Sequence, residues 1–252
     1  MNLASRIAIA VVALALVLTA TGAAHAGWVH IDADGSESLI SNGQMRASWD
    51  TGTSILDANT SKIVIIDDMR RIYAAGTVDE LCAEIKNSIE SMMGDMPAEQ
   101  KEMIQQMMEQ EKAPEVKIVE KGDGEKISGF STKRYDVLAN GELYEQLWIA
   151  DDGELVAECK PVMMMLSRFG QCMAAANPMG GSSDPEATPE YAGVYELGVI
   201  VRSISAGELE EGIAPEEANI EKRDVPDSAF EVPDGYRAVS FADVFGMTGE
   251  DG

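Results

Sequence analysis

The side chains able to do chemistry are few and unevenly placed. His25 falls in an apolar N-terminal leader, so His30 is the one histidine of residues 27–252 and the only candidate base for a hydrolytic triad. GxSxG, HExxH, the P-loop pattern and GxGxxG are all missing, which removes the common acyl-transfer, zinc-protease and nucleotide signatures. Asp67-Asp68 ends an alternating segment and Asp151-Asp152-Gly153 reads as a turn, so both carboxylate pairs suit solvated loops better than acid/base work. Asp32-Ala33-Asp34-Gly35 begins like a calcium loop, but Glu37 stands where that loop requires glycine. No enzymatic activity, cofactor or classical metal site is expected from these residues.

Sulfur is the abundant functional atom. The chain has 15 methionines in 252 residues, and ten of them, Met92, Met93, Met96, Met103, Met107, Met108, Met163, Met164, Met165 and Met173, fall on three segments with helical period. Unbranched thioethers repack at low cost, so a methionine-lined lid suits variable apolar guests. Two other readings stay open: core filling, which would leave a protein-interaction module, and copper(I) held by soft sulfur ligands. The cysteines are Cys82, Cys159 and Cys172. Cys82 and Cys172 lie near the apolar stripes of two helical segments, so a bridge between them is the expected pairing; three reduced, buried thiols are the alternative.

Compartment and charge narrow the partners. Arg6, the uncharged run Ile7 to Leu18 and the small-x-small triplet Ala24-His25-Ala26 form the pattern of a cleavable secretory signal over residues 1–26, which predicts export to the periplasm or beyond. The apolar run is shorter than the roughly 20 residues that span a bilayer, so an integral membrane protein is not expected. With 44 acidic against 19 basic residues and a formal charge of -25, the surface repels phosphate, which excludes a nucleic-acid partner. The 45% apolar content nevertheless demands a packed core.

These residues must be positioned by elements that the period reveals. Strands are predicted at 28–32, 37–41, 44–49, 53–57, 62–67 and 70–74, separated by Asp34-Gly35, Asn42-Gly43 and Thr51-Gly52, turns whose positive φ angles close tight hairpins. The period then becomes helical. Thr77 and Glu80 make a capping box, after which Leu81, Ile85, Ile89, Met92 and Met96 share one face. Pro97 opens a second helix with the stripe Met103, Ile104, Met107 and Met108, completing a helical hairpin. Strands return at 116–120, 131–138 and 143–150. Pro161 opens a third helix carrying Met165, Phe169, Cys172 and Met173, and 177–190, rich in Pro, Gly and Ser, reads as a mobile loop. Strands at 195–205, 218–223 and 237–241 precede a tail at 246–252.

Five segments carry a resemblance: Ile40-Ser41-Asn42-Gly43-Gln44-Met45-Arg46, Lys62-Ile63-Val64-Ile65-Ile66-Asp67, Lys126-Ile127-Ser128-Gly129-Phe130 with Lys133-Arg134-Tyr135, Leu147-Trp148-Ile149-Ala150, and Phe230-Glu231-Val232-Pro233-Asp234-Gly235-Tyr236. Together they resemble an exported bacterial domain family related to the lipoprotein-localisation carriers, the LolA-like clan. The resemblance implies an open half-barrel of about eleven antiparallel strands under a helical lid, with a cavity that shelters acyl chains. This chain departs from the carriers by beginning on a strand where they place a helix.

The expectation is therefore an α+β chain with one domain over 27–245, a single strongly curved antiparallel sheet covered by about three amphipathic helices. It would bind an apolar small molecule, a lipid or a lipidated protein. Leu81, Ile85, Ile89, Met92, Met96, Met103, Met107, Met165, Phe169, Trp49 and Trp148 are the candidate ligand-binding residues, on the helical faces and the sheet.

Overall fold

The computed structural model of the chain describes residues 24–31, 36–94, 96–110, 113–176, 183–215 and 219–246. Residues 1–23 of the expected signal, 177–182 of the expected loop and 247–252 of the expected tail lie outside them.

Six strands run up and down from the start: β1 (Ala24–Ile31), β2 (Glu37–Ser41), β3 (Gln44–Trp49), β4 (Gly52–Asp57), β5 (Lys62–Asp67) and β6 (Ile72–Thr77). Asn42 and Gly43 both take positive φ, 52° and 71°, as a two-residue hairpin whose twist matches its strands requires. Register follows from such turns. Trp28, Ile40, Met45, Leu56 and Ile63 are paired in succession across five strands, so they form one apolar row on one face. Val29, Leu39, Arg46, Ile55 and Val64 form the row on the other face, where the Arg46 guanidinium donates to the Ala229 carbonyl of a C-terminal segment at 2.9 Å.

The helical part begins where predicted. Thr77 N–H donates to Glu80 at 2.8 Å, Glu80 N–H donates to the Thr77 hydroxyl at 3.1 Å, and α1 (Val78–Gly94) follows, with α2 (Ala98–Gln110) after a short turn. The chain then makes β7 (Val116–Asp123), β8 (Thr132–Ala139), β9 (Glu142–Ala150) and α3 (Gly153–Ala176). A 3₁₀ turn (Pro185–Ala187), α4 (Pro189–Ala192) and α5 (Val194–Leu197) lead into β10 (Val199–Ser205). The rest is α6 (Ala206–Glu211), β11 (Asn219–Pro226), a second 3₁₀ turn (Asp227–Phe230), β12 (Arg237–Ala238) and α7 (Phe241–Val244).

The single half-barrel is overturned. The strands form two sheets, one of eight in the order β11-β1-β2-β3-β4-β5-β6-β12 and one of four in the order β10-β9-β8-β7, and neither closes or curls strongly. The architecture is α+β, with the larger sheet mixed because β12 runs parallel to β6. Hairpin turns dictate only pairing between consecutive strands. After the excursion through α1 and α2, the edge of β6 is capped by the short β12, the edge of β1 is taken by β11, and β7 starts a separate ladder.

Two further expectations are corrected. Pro161 lies inside α3, eight residues past its start, and does not open the helix. Asp152 caps the earlier start by accepting from the N–H groups of Glu154 and Leu155, and buried Leu155, Cys159 and Val162 extend the apolar stripe back past the proline. Their burial offsets the roughly 3 kcal/mol that an interior proline costs. The Pro-rich segment is also structured from Ser183 on. Asp184 and Thr188 cap successive helical turns whose first positions are Pro185 and Pro189, residues pre-set for that place.

The main apolar core joins the inner row of the large sheet to α1, α3, α7 and the β9–β10 side of the small sheet. Cys82 of α1 and Cys172 of α3 are joined by a disulfide with Cα atoms 5.7 Å apart, while Cys159 is a buried free thiol. A second, smaller core lies on the other face of the small sheet, where Val116, Tyr135, Val137, Leu147 and Ile149 pack against Tyr191 and Val194.

Candidate apolar binding site

An apolar cavity of about 280 Å³ lies between α3 and the inner face of the large sheet. Its helical wall is Leu155, Cys159, Met163 and Leu166, spaced 4, 4 and 3 residues apart and so on one face of α3. Its sheet wall is Trp28 and His30 of β1, Ile40, Met45 and Ile220, all pointing the same way because the strand period is 2. The remaining side is closed by Tyr195 of α5 with Val199 and Ile200 of β10.

The cavity wall is built mainly from apolar groups. Burial, and secondarily the Glu158 carboxylate, push the Cys159 thiol up to about 12, so at neutral pH it is a protonated, unreactive apolar side chain. Trp28 is held by Phe130 edge to face, with ring centroids 5.6 Å apart, and by the Lys222 ammonium 5.6 Å over its ring. Lys222 in turn pairs with Glu154 on α3, which ties the cavity wall to the helix end.

A wider cleft of about 480 Å³ opens beside β8 and β9, lined by Asp123, Phe130, Lys133, Asp151 and Asp152 among others. Of its charged groups, Asp152 caps α3 and Lys133 pairs with Glu120 at 3.0 Å. Among the described residues no three His, Cys, Asp or Glu side chains are placed to hold a metal ion.

The ligand-binding residues expected from the sequence are placed elsewhere. Leu81 and Ile85 are buried in the main core, as is Met165, with Ile89 and Phe169 packed against them. Trp148 is buried with the Arg202 guanidinium 5.2 Å above its ring, and Trp49 stands half exposed at the end of β3, its indole against Gly52. Met96 is half-buried beside the α1–α2 turn and Met103 is exposed, while the side chains of Met92 and Met107 lie outside the described ones. None of the described candidates lines the cavity. The lining that was missed had a signal: Trp28-x-His30 alternates in a strand, and Leu155, Cys159, Met163 and Leu166 share a helical face. That face was hidden by reading Pro161 as a helix start.

No family model matches the chain, and no curated protein is significantly similar to it. Among the described residues no helix is long and apolar enough to cross a membrane.

Proposed function

We propose that the chain is an exported, non-enzymatic binding protein that holds one apolar or acyl-bearing ligand between α3 and the large sheet, with the periplasm as its compartment. The observation that carries this reading is the cavity, whose walls come from three separate parts of the chain and are apolar except for His30 and Tyr195. Its volume of about 280 Å³ falls just below the ~300–1,000 Å³ typical of ligand pockets, which suits a small guest.

Size sets the affinity. Liquid water occupies about 30 Å³ per molecule and a methylene group is close to that size, so the cavity takes about nine such groups. At ~0.8 kcal/mol per buried methylene this amounts to about 7 kcal/mol before association costs, so micromolar binding is the upper limit. Such a site loads and unloads; it does not store. A longer acyl chain would project from the mouth.

Export is supported by the leader of residues 1–26 and by the Cys82–Cys172 disulfide, a bond that persists in oxidising compartments. Cleavage after Ala26 would take the three outermost pairs from the β1–β11 ladder and leave those from Gly27–Arg223 to Ile31–Asn219. The charge of -25 supports partners other than nucleic acid.

The test is uptake of neutral N-phenylnaphthylamine, read as enhanced probe fluorescence and quenching of Trp28, in the native chain and in Met163→Trp, which fills the cavity from the α3 side. Saturable uptake by the native chain, lost in the filled variant, is expected. Absence of saturable uptake at micromolar protein, with no lipid adduct in native mass spectrometry, would refute the reading.

A further inference from the structure

The apolar row on the inner face of the large sheet continues past the cavity. Trp28 lines the cavity and is paired in register with Lys222 of β11. Opposed residues of antiparallel strands share a face, so Lys222 stands on the cavity side, two residues after Ile220, which is itself part of the lining. β11 is the outermost strand of its sheet, and the Lys222 side chain is 45% exposed. The row thus passes from cavity to solvent through a cation at the rim.

Lys222 has two partners of unequal hold. Its ammonium sits 5.6 Å over the Trp28 ring, which anchors the cation to the cavity wall. Its other partner is the Glu154 carboxylate, in the first turn of α3 and one residue before the lining residue Leu155. The Glu154 side chain is 67% exposed, and an ion pair this open contributes little because water competes for both charges. Glu154 is therefore the exchangeable member. Released from Lys222 it returns to water and stays at a helix start, where negative charge is favoured, whereas Lys222 moved outward would leave the indole face.

We propose that the guest of this cavity is a fatty acid of about eight to ten carbons, whose tail fills the cavity and whose carboxylate displaces Glu154 on Lys222. This rests on the cavity being a binding site and names the class of its occupant. The length follows from the room for about nine methylene-sized groups. The exchange leaves no charge stranded in an apolar place, because one carboxylate replaces another on the same ammonium. Distant acidic residues, numerous in a chain of charge -25, are screened beyond about 8 Å at physiological ionic strength, so the local pair decides.

The experiment is displacement of N-phenylnaphthylamine at neutral pH by octanoate, octan-1-ol and octylamine, which share a tail and differ in head group. The proteins are the full chain, Lys222→Gln and Glu154→Gln. The quantity read is the ratio of octanoate to octan-1-ol affinity, in which changes to the cavity itself cancel. That ratio should fall about threefold to fivefold in Lys222→Gln and rise by a similar factor in Glu154→Gln, the effect of one exposed ion pair. Both positions are exposed, and displacement by octan-1-ol reports that the cavity survives in each variant. A ratio that stays the same in either variant overturns the carboxylate assignment while the cavity reading stands. So does tighter binding of octylamine than of octanoate, weakened in Glu154→Gln. A native chain that takes up neither the probe nor any of the three guests overturns the cavity reading, and this assignment with it.

Discussion

The two helices of the hairpin, α1 and α2, have similar sequence patterns and different fates. Both carry an apolar stripe ending in methionines. α1 buries Leu81 and Ile85 completely, is covered at one side by α7, whose Ala242 N–H donates to Glu84 at 2.8 Å, and is tied to α3 by the disulfide. α2 leaves Met103 56% exposed and Ile104 only half-buried, and none of its described side chains, those of residues 98–104, belongs to the main core. A methionine stripe at helical spacing thus tells which way a helix faces, not whether anything meets it.

That difference is open to breaking, beginning with the largest effect. The pair Cys82→Ser and Cys172→Ser, removing a bridge between residues 90 apart, should cost about 4–5 kcal/mol of unfolding free energy in urea, by the chain-entropy account. A negligible loss would mean that packing alone holds α1 on α3. Leu81→Ala should cost about 3 kcal/mol, the lost side chain plus the cavity left behind. Met103→Ser should change stability by no more than about 0.5 kcal/mol, as expected of an exposed position. If it cost as much as Leu81→Ala, α2 would be docked on the core like α1 and the contrast would fail.

The two cores of the small sheet show a second contrast. Residues of β9 on one face, Trp148 and Ala150, join the main core; on the other, Glu145, Leu147 and Ile149 form a thinner layer containing a carboxyl and tyrosines. Alternation along Glu142–Ala150 announces two faces, yet its Glu145 reads as an ordinary solvent-side residue of a half-buried strand. Glu145 is nevertheless buried, on the face where Tyr191 and Val194 pack, and the prolines that precede them read as a loop because proline breaks helices as readily as it starts them.

Much of the local structure was legible. Asn42-Gly43 and Asn140-Gly141 mark hairpins because their residues tolerate positive φ; Thr77 and Glu80 mark a helix start because two orphan N–H groups find acceptors there. The candidate site was legible only in fragments: Trp28 and His30 as an alternating pair, Met163 as one of ten helical methionines. Short-range physics, meaning turn dihedrals, caps and the periods 2 and 3.6, was decided by neighbouring residues and so could be read in order along the chain. The division of the strands between two sheets, the helix running through Pro161, the cavity and the surroundings of Glu145 were decided by segments far apart in sequence. Apolar periodicity states that a face must be buried, but the partner that buries it is chosen by the packing of the whole chain.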